Sequence, residues 1–183
     1  MSEQRVSGRY AKSLIDLALE RKALDAVYAD VVLLKQTIEA NASLANMLKS
    51  PIIKADKKQA IIKQVFSSYL SELSLLFINL VTAKNRSFFL HDIAVQFIAQ
   101  YNEINKITTA HVKTAVSISA SVQAEVKSFL EAQTGKRVEL KNSVDSELIG
   151  GMVIQIEDRL YDASISGKLK KAKHELLNTY ISK

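Results

Sequence analysis

The sequence predicts a mainly α protein: an N-terminal six-helix bundle followed by a smaller α+β C-terminal domain with a β-hairpin. Three observations predict it. Apolar residues recur at helical spacing up to about Lys106. Beyond that point, short stretches alternate between apolar and polar residues and are set off by glycines. The 183 residues include five Gly and one Pro, too few for a turn-dense all-β chain, and 48% are hydrophobic, enough for a core.

The first helix is expected from about Val6 to Arg21, and the second from Leu24 to Ala40 with Leu24, Val27, Tyr28, Val31, Leu34 and Ile38 on one stripe. A short third helix, Ser43 to Lys49, stops at Ser50-Pro51, because proline lacks a donor and disfavours helix in the residue before it. Asp56-Lys57-Lys58-Gln59 has capping-box spacing and opens a fourth helix through Phe66. The fifth covers Ser71 to Lys84. The sixth follows Ser87 as N-cap and carries Leu90, Ile93, Ala94, Phe97, Ile98 and Tyr101.

After Lys106, Thr109 to Val116 reads as a strand with Ala110, Val112 and Val116 on one side. Ser121 is the expected cap of a helix carrying Val122, Val126, Phe129 and Leu130, which Gly135 stops. Arg137 to Lys141 alternates again. Gly150-Gly151 leads into Met152 to Ile156, a turn at Glu157-Asp158, and Arg159 to Asp162, which together make the hairpin. A last helix from about Ser166 gathers Leu169, Ala172, Leu176, Leu177 and Tyr180 in an arc of about 140°. The domains are therefore expected at 1–106 and 107–183.

Charge says little about partners. The net charge is +6, and it divides evenly: 13 basic and 10 acidic residues up to Asn105, 12 and 9 after it. Lys168, Lys170, Lys171 and Lys173 point around a helix, which is the pattern of a solvated surface and not of a phosphate-binding face. A nucleic-acid-binding helical protein, the main alternative class, would need a basic block or an aromatic platform, and neither is present. The polar start lacks the apolar core of a secretory leader. The greasiest run, Leu73 to Val81, is far short of the roughly twenty residues that span a bilayer. No direct membrane span is expected.

Chemistry is expected to be absent. With no cysteine, disulfides, thiol catalysis and Cys-based zinc sites are excluded. His91, His111 and His174 lack ligand-spaced partners, so no metal site is expected. No phosphate loop or Gly-x-Ser-x-Gly elbow occurs, so no cofactor-binding residue is assigned. Asp158 and Asp162 could be imagined as paired carboxylates of a small enzyme, but they flank a hairpin strand and suit the turn and the next helix start better. Ser164 and Ser166 read as turn and cap residues. No catalytic residue is expected.

The helical wheel leaves one surplus. The apolar residues of the first helix, Val6, Tyr10, Ala11, Leu14, Ile15, Leu17, Ala18 and Leu19, cover about 220°, and the fifth helix is apolar nearly all round. Either the fifth helix is the centre of the bundle, or the first and fifth share a groove for a partner helix.

One long segment is similar to a known family. Leu148-Ile149-Gly150-Gly151-Met152-Val153-Ile154-Gln155-Ile156-Glu157-Asp158-Arg159-Leu160-Tyr161-Asp162-Ala163-Ser164-Ile165-Ser166-Gly167-Lys168-Leu169 resembles the C-terminal signature of the delta subunits of F-type ATP synthase, the family of the mitochondrial oligomycin-sensitivity-conferring protein. Arg9-Tyr10-Ala11-Lys12-Ser13-Leu14, Ser50-Pro51 with Lys57-Lys58, and Asn85-Arg86 fit in the same order. Two positions depart from the pattern: Glu157 and Ala163 stand where the family usually has glycine, so the hairpin turn is expected to be of another type.

The resemblance implies a non-catalytic stator subunit of a proton-transporting ATP synthase. In that family the helical domain sits on the catalytic head and grips the N-terminal helix of an alpha subunit between its first and fifth helices. The C-terminal domain binds the peripheral-stalk b subunits, so that the head does not turn with the rotor. Partner-binding residues are expected at Tyr10, Ala11, Leu14, Leu76, Asn79, Leu80 and Ala83, with the apolar ones supplying the affinity of an interface of at least about 1,000 Å². With the leaderless start, the expected location is the cytoplasmic face of a bacterial plasma membrane, as a peripheral protein.

Overall fold

The computed structural model describes residues 3–181, with side chains from residue 4 to residue 174. Leu176, Leu177 and Tyr180, assigned above to one face of the last helix, lie outside the described side chains. The chain forms two compact units, Met1–Ile104 and Asn105–Lys183.

The first unit contains α1 (Glu3–Glu20), α2 (Leu24–Ala40), α3 (Ala42–Lys49), α4 (Ala55–Phe66), α5 (Glu72–Ala83) and α6 (Leu90–Ile104), with a 3-10 turn at Ser87–Phe89. The central helix is α6, against which both α1 and α2 pack, while α5 packs on α4. Phe97 of α6 is fully buried among the inner faces of α1 and α2, which bury Ala11, Leu14, Ile15, Ala18, Val27 and Val31. The continuous apolar stripe Leu90, Ile93, Ala94, Phe97 and Tyr101 is what fits α6 for this place. The reading of α5 as the central helix is thus corrected: Leu76 and Leu80 are 55% and 53% exposed.

Two polar clusters lock this bundle. The Asp30 carboxylate of α2 accepts hydrogen bonds from the Ser71 backbone N–H at 3.0 Å and the Ser74 hydroxyl at 2.7 Å. Ser71 is itself the N-cap of α5, so Asp30 fixes where α5 begins. Deeper in, Lys58 is 7% exposed, and its ammonium donates to the Leu48 carbonyl at 2.8 Å and the Ser87 hydroxyl at 2.9 Å. Ser87 donates to the same carbonyl. This arrangement overturns two expected caps. Ser87 is an interior crosslink and not the cap of α6, and the Asp56–Gln59 capping box does not form. The N-cap of α4 is Lys54 without a side-chain bond, and Gln59 instead donates to the Asn79 carbonyl of α5.

Burial pushes the Lys58 ammonium below its ordinary value of 10.5. Over the interval between the folded and unfolded pKa values, the unfolded chain holds a proton that the folded chain has lost, so stability rises with pH there. Urea unfolding of the wild type is expected to show a midpoint that rises as the pH approaches the ordinary lysine value of 10.5 from below, a rise that Lys58→Met lacks.

The second unit holds β1 (Ile107–Thr114), α7 (Ala120–Thr134), β2 (Arg137–Val144), a 3-10 turn at Ser146–Leu148, β3 (Met152–Ile156), β4 (Arg159–Asp162) and α8 (Ile165–Ile181). The sheet order is β2-β1-β3-β4, with β1 and β2 parallel around the α7 crossover and the other pairs antiparallel. Its core is Ala110, Val112, Leu130, Val138, Ile154 and Ile156.

Boundary expectations moved where polar residues carry the ladder. The first strand starts two residues earlier and ends at Thr114, and buried Thr108 and Thr114 complete its inner face. Val116 is outside the strand and 71% exposed. β2 runs on to Val144 because its backbone keeps pairing with β1 after the side chains have left the core. Ser119, not Ser121, caps α7 by accepting from the Val122 N–H, and Phe129 faces away from the core at 57% exposure.

The hairpin signature acquires a physical account here. Glu157 holds φ at +51° without being glycine, and Lys136 stands 2.6 Å from its carboxylate. The left-handed turn position is therefore kept despite the substitution, at a cost on the order of 1 kcal/mol against glycine. Ala163 keeps a negative φ. Ser164 caps α8, accepting the Gly167 N–H at 3.0 Å, while its hydroxyl donates to Asp162 at 2.6 Å. The serine hydroxyl and N–H bonds hold the Asp162 carboxyl below its ordinary range. A Cβ on Gly167 would lie 2.4 Å from that carboxylate, so the Asp-x-Ser-x-x-Gly spacing is one interlocked cap.

Candidate functional site

The candidate site is the groove between α1 and α5. Tyr10 meets Phe77 edge-on, with ring centroids 6.3 Å apart and planes at 71°. Leu14, one turn further along α1, lines the same interior gap as Leu70, Ser74 and Phe77. Rising numbers on α1 thus meet falling numbers on α5, and the two helices run antiparallel. On α5, Leu76, Leu80 and Ala83 are all exposed, spaced four and three apart on one helix face. On α1, Val6, Tyr10 and Leu17 are half-buried.

Of the seven expected residues, Leu76, Leu80 and Ala83 are exposed and Tyr10 and Asn79 are half-buried, the Asn79 carbonyl accepting from Gln59 of α4. The other two are not at the surface. Ala11 and Leu14 are 0% and 2% exposed, so they are corrected from anchors to floor, carrying the groove from beneath. Their wheel angle was shared with the core, and a wheel cannot divide one apolar arc into inner and outer parts. Two residues were missed, Phe77 and Arg86. Asn85 takes φ +57°, and the Arg86 N–H closes back on the Val81 carbonyl at 3.0 Å. That turn brings the guanidinium beside Tyr10, whose hydroxyl accepts from it, with the charge 5.6 Å from the ring centroid. The signal available was the Asn85-Arg86 pair itself, at a helix C-terminus.

The remaining candidates are weaker. Thr37, Leu44, Met47, Ile61 and Val65 form a second open trough between α2, α3 and α4, but Ile61 and Val65 are only 36% and 38% exposed. Among the described residues no cluster of three metal-ligating side chains occurs. His91 bridges Glu39 and Asp92 on the surface, and hydrogen bonds from Lys35 and His91 hold Glu39 below its ordinary range. Asp162 is occupied by Ser164 and makes no pair with Asp158. In the second unit, edge strand β4 and the start of α8 expose Leu160, Tyr161, Ile165 and Leu169. No helix among the described residues is long and apolar enough to cross a membrane.

Comparison with known proteins adds identity to this geometry. A chain of the Toxoplasma gondii mitochondrial ATP synthase hexamer shares the fold, with a TM-score of 0.69 at 20% identity over 93% of this chain and 97% of that one. The delta subunit of the ATP synthase of Christiangramia forsetii is 34% identical over 184 residues, covering 100% of both chains. That of Cytophaga hutchinsonii is 34% identical over 182 residues, again covering 100% of both. The family model described as ATP synthase delta (OSCP) subunit matches residues 6–176, nearly the whole chain. The chain therefore belongs to the ATP synthase delta (OSCP) subunit family, and is a non-catalytic stator subunit of a membrane-associated complex.

Proposed function

We propose that the first unit holds the catalytic head by seating the N-terminal helix of an alpha subunit in the α1–α5 groove, while the second unit holds the peripheral-stalk b subunits. The observation that carries this reading is the exposed stripe Leu76, Leu80 and Ala83 beside Tyr10, a surface with the i, i+4, i+7 spacing that an amphipathic helix covers. A stator has to stay bound under load. Slow dissociation is the property it needs, and apolar anchors buried on binding serve it. The exposed edge of β4 with Leu160 and Tyr161 is the matching surface for the stalk in the second unit. Assembled this way, the chain sits at the cytoplasmic face of a bacterial plasma membrane.

The absence of native cysteine makes a direct test possible. Single substitutions Leu76→Cys and Leu160→Cys, carrying a short photo-crosslinker in the assembled synthase, are expected to capture alpha and b respectively. Capture of b at position 76, or of alpha at position 160, would contradict the assignment.

A further inference from the structure

The groove is not electrically symmetric. At the end where α5 finishes, Lys84 and Arg86 are exposed on the α5 side and Arg9 is exposed on the α1 side. At the other end stand exposed Asp16, Glu20 and Glu72, offset in part by Arg21 and Lys22. Among the described side chains the first end is thus cationic, with exposed Arg5 a turn beyond Arg9, while the residues named at the other end sum to a single negative charge. Arg86 is also preorganised: the Asn85 turn fixes its backbone, and Tyr10 holds the guanidinium by hydroxyl and ring. Among the described residues no carboxylate lies within ion-pair distance of it. One N–H is used by Tyr10, and a guanidinium has four more to offer in a planar fork that matches a carboxylate.

From this we infer that Arg86, with Lys84 and Arg9, receives an acidic side chain of the docked helix and so sets which way that helix lies in the groove. The inference rests on the helix-in-groove reading and adds a polarity to it: the partner is an amphipathic helix whose apolar stripe covers Leu76 and Leu80 and whose acidic end lies over Arg86. Apolar contacts alone leave the two directions of a helix nearly equivalent. Rim charges break that equivalence, and holding the guanidinium in place beforehand lowers the ordering cost of using it.

The test uses the full chain, labelled with nitrogen-15, and a synthetic 20-residue peptide with a Leu/Ile seam, glutamates at one end and lysines at the other. A nitroxide on the acidic end is expected to broaden the amides of residues 83–86 and to spare those of residues 72–73. Lys84→Glu with Arg86→Glu is expected to weaken binding about tenfold and remove that bias, with the remaining affinity still lost in Leu80→Asp. Equal broadening at both ends of the wild-type groove, or broadening at residues 72–73 alone, would overturn the polarity while leaving helix docking intact. No binding by wild type, or binding that Leu80→Asp leaves untouched, would overturn the groove reading and the polarity with it. The wild-type pattern decides the matter even if the double variant fails to fold.

Discussion

Leu80→Asp is expected to weaken binding of the alpha-subunit N-terminal helix by about a hundredfold, roughly 3 kcal/mol, with the fold intact. Leu80 lies in the middle of the exposed α5 stripe and is 53% exposed in the free chain. Docking would remove the rest of its side chain from water, and an aspartate in its place would carry a charge into the same contact. In the unbound chain the same carboxylate stays hydrated, so stability is expected to change by less than about 1 kcal/mol. Calorimetric titration together with a thermal melt separates the two effects. Leu14→Ala is the instructive contrast. Leu14 is 2% exposed, so its truncation is expected to cost about 2–5 kcal/mol of stability and to reach binding only through the fold.

Gly151→Ala is expected to unfold the hairpin of the second unit, at a cost of at least about 3 kcal/mol, while Gly150→Ala is expected to cost far less. Gly151 has φ +77°, and a Cβ there would lie 2.4 Å from the Ala163 carbonyl oxygen. That carbonyl belongs to backbone fixed on both sides: the Ala163 N–H bonds to Met152, and Ser164 begins the α8 cap. Neither atom can retreat without breaking the strand pairing or the cap, so strain and steric overlap add. A Cβ on Gly150 would instead meet Ile165 Cδ1 at 2.6 Å, the end of a flexible side chain that is 45% exposed and free to turn away. Amide exchange of residues 152–162 in the two variants measures the difference. Equal protection in both would show that the Gly151 contact is not what holds the hairpin.

The order and type of the elements were legible in the sequence because periodicity reports burial directly, and burial is what organises both units. Val27, Val31, Leu34 and Ile38 fall on one stripe and are all buried, and the hairpin strands begin and end where alternation does. Polar anchors were not legible. Ser87 has the composition of a cap but serves Lys58 and Leu48, 29 and 39 residues away in sequence, and no local pattern encodes such a partner. Ser119 and Ser121 are both competent caps for α7, and the choice between them depends on where β1 releases the chain. The groove was half legible. The surplus of apolar surface on α1 and α5 could be counted, but its division into floor (Ala11, Leu14) and wall (Leu76, Leu80, Ala83) needed the position of α6. Arg86 was hidden for another reason: its role comes from a left-handed turn that folds it back onto Tyr10.

The most direct test of the account is to map where the N-terminal peptide of the cognate alpha subunit touches the full chain by amide and methyl NMR shifts. The largest changes are expected on Tyr10, Leu76, Phe77, Leu80 and Ala83, on the α1 and α5 sides of the groove. Changes centred on Leu44, Met47, Ile61 and Val65, or confined to residues 105–174, would contradict it.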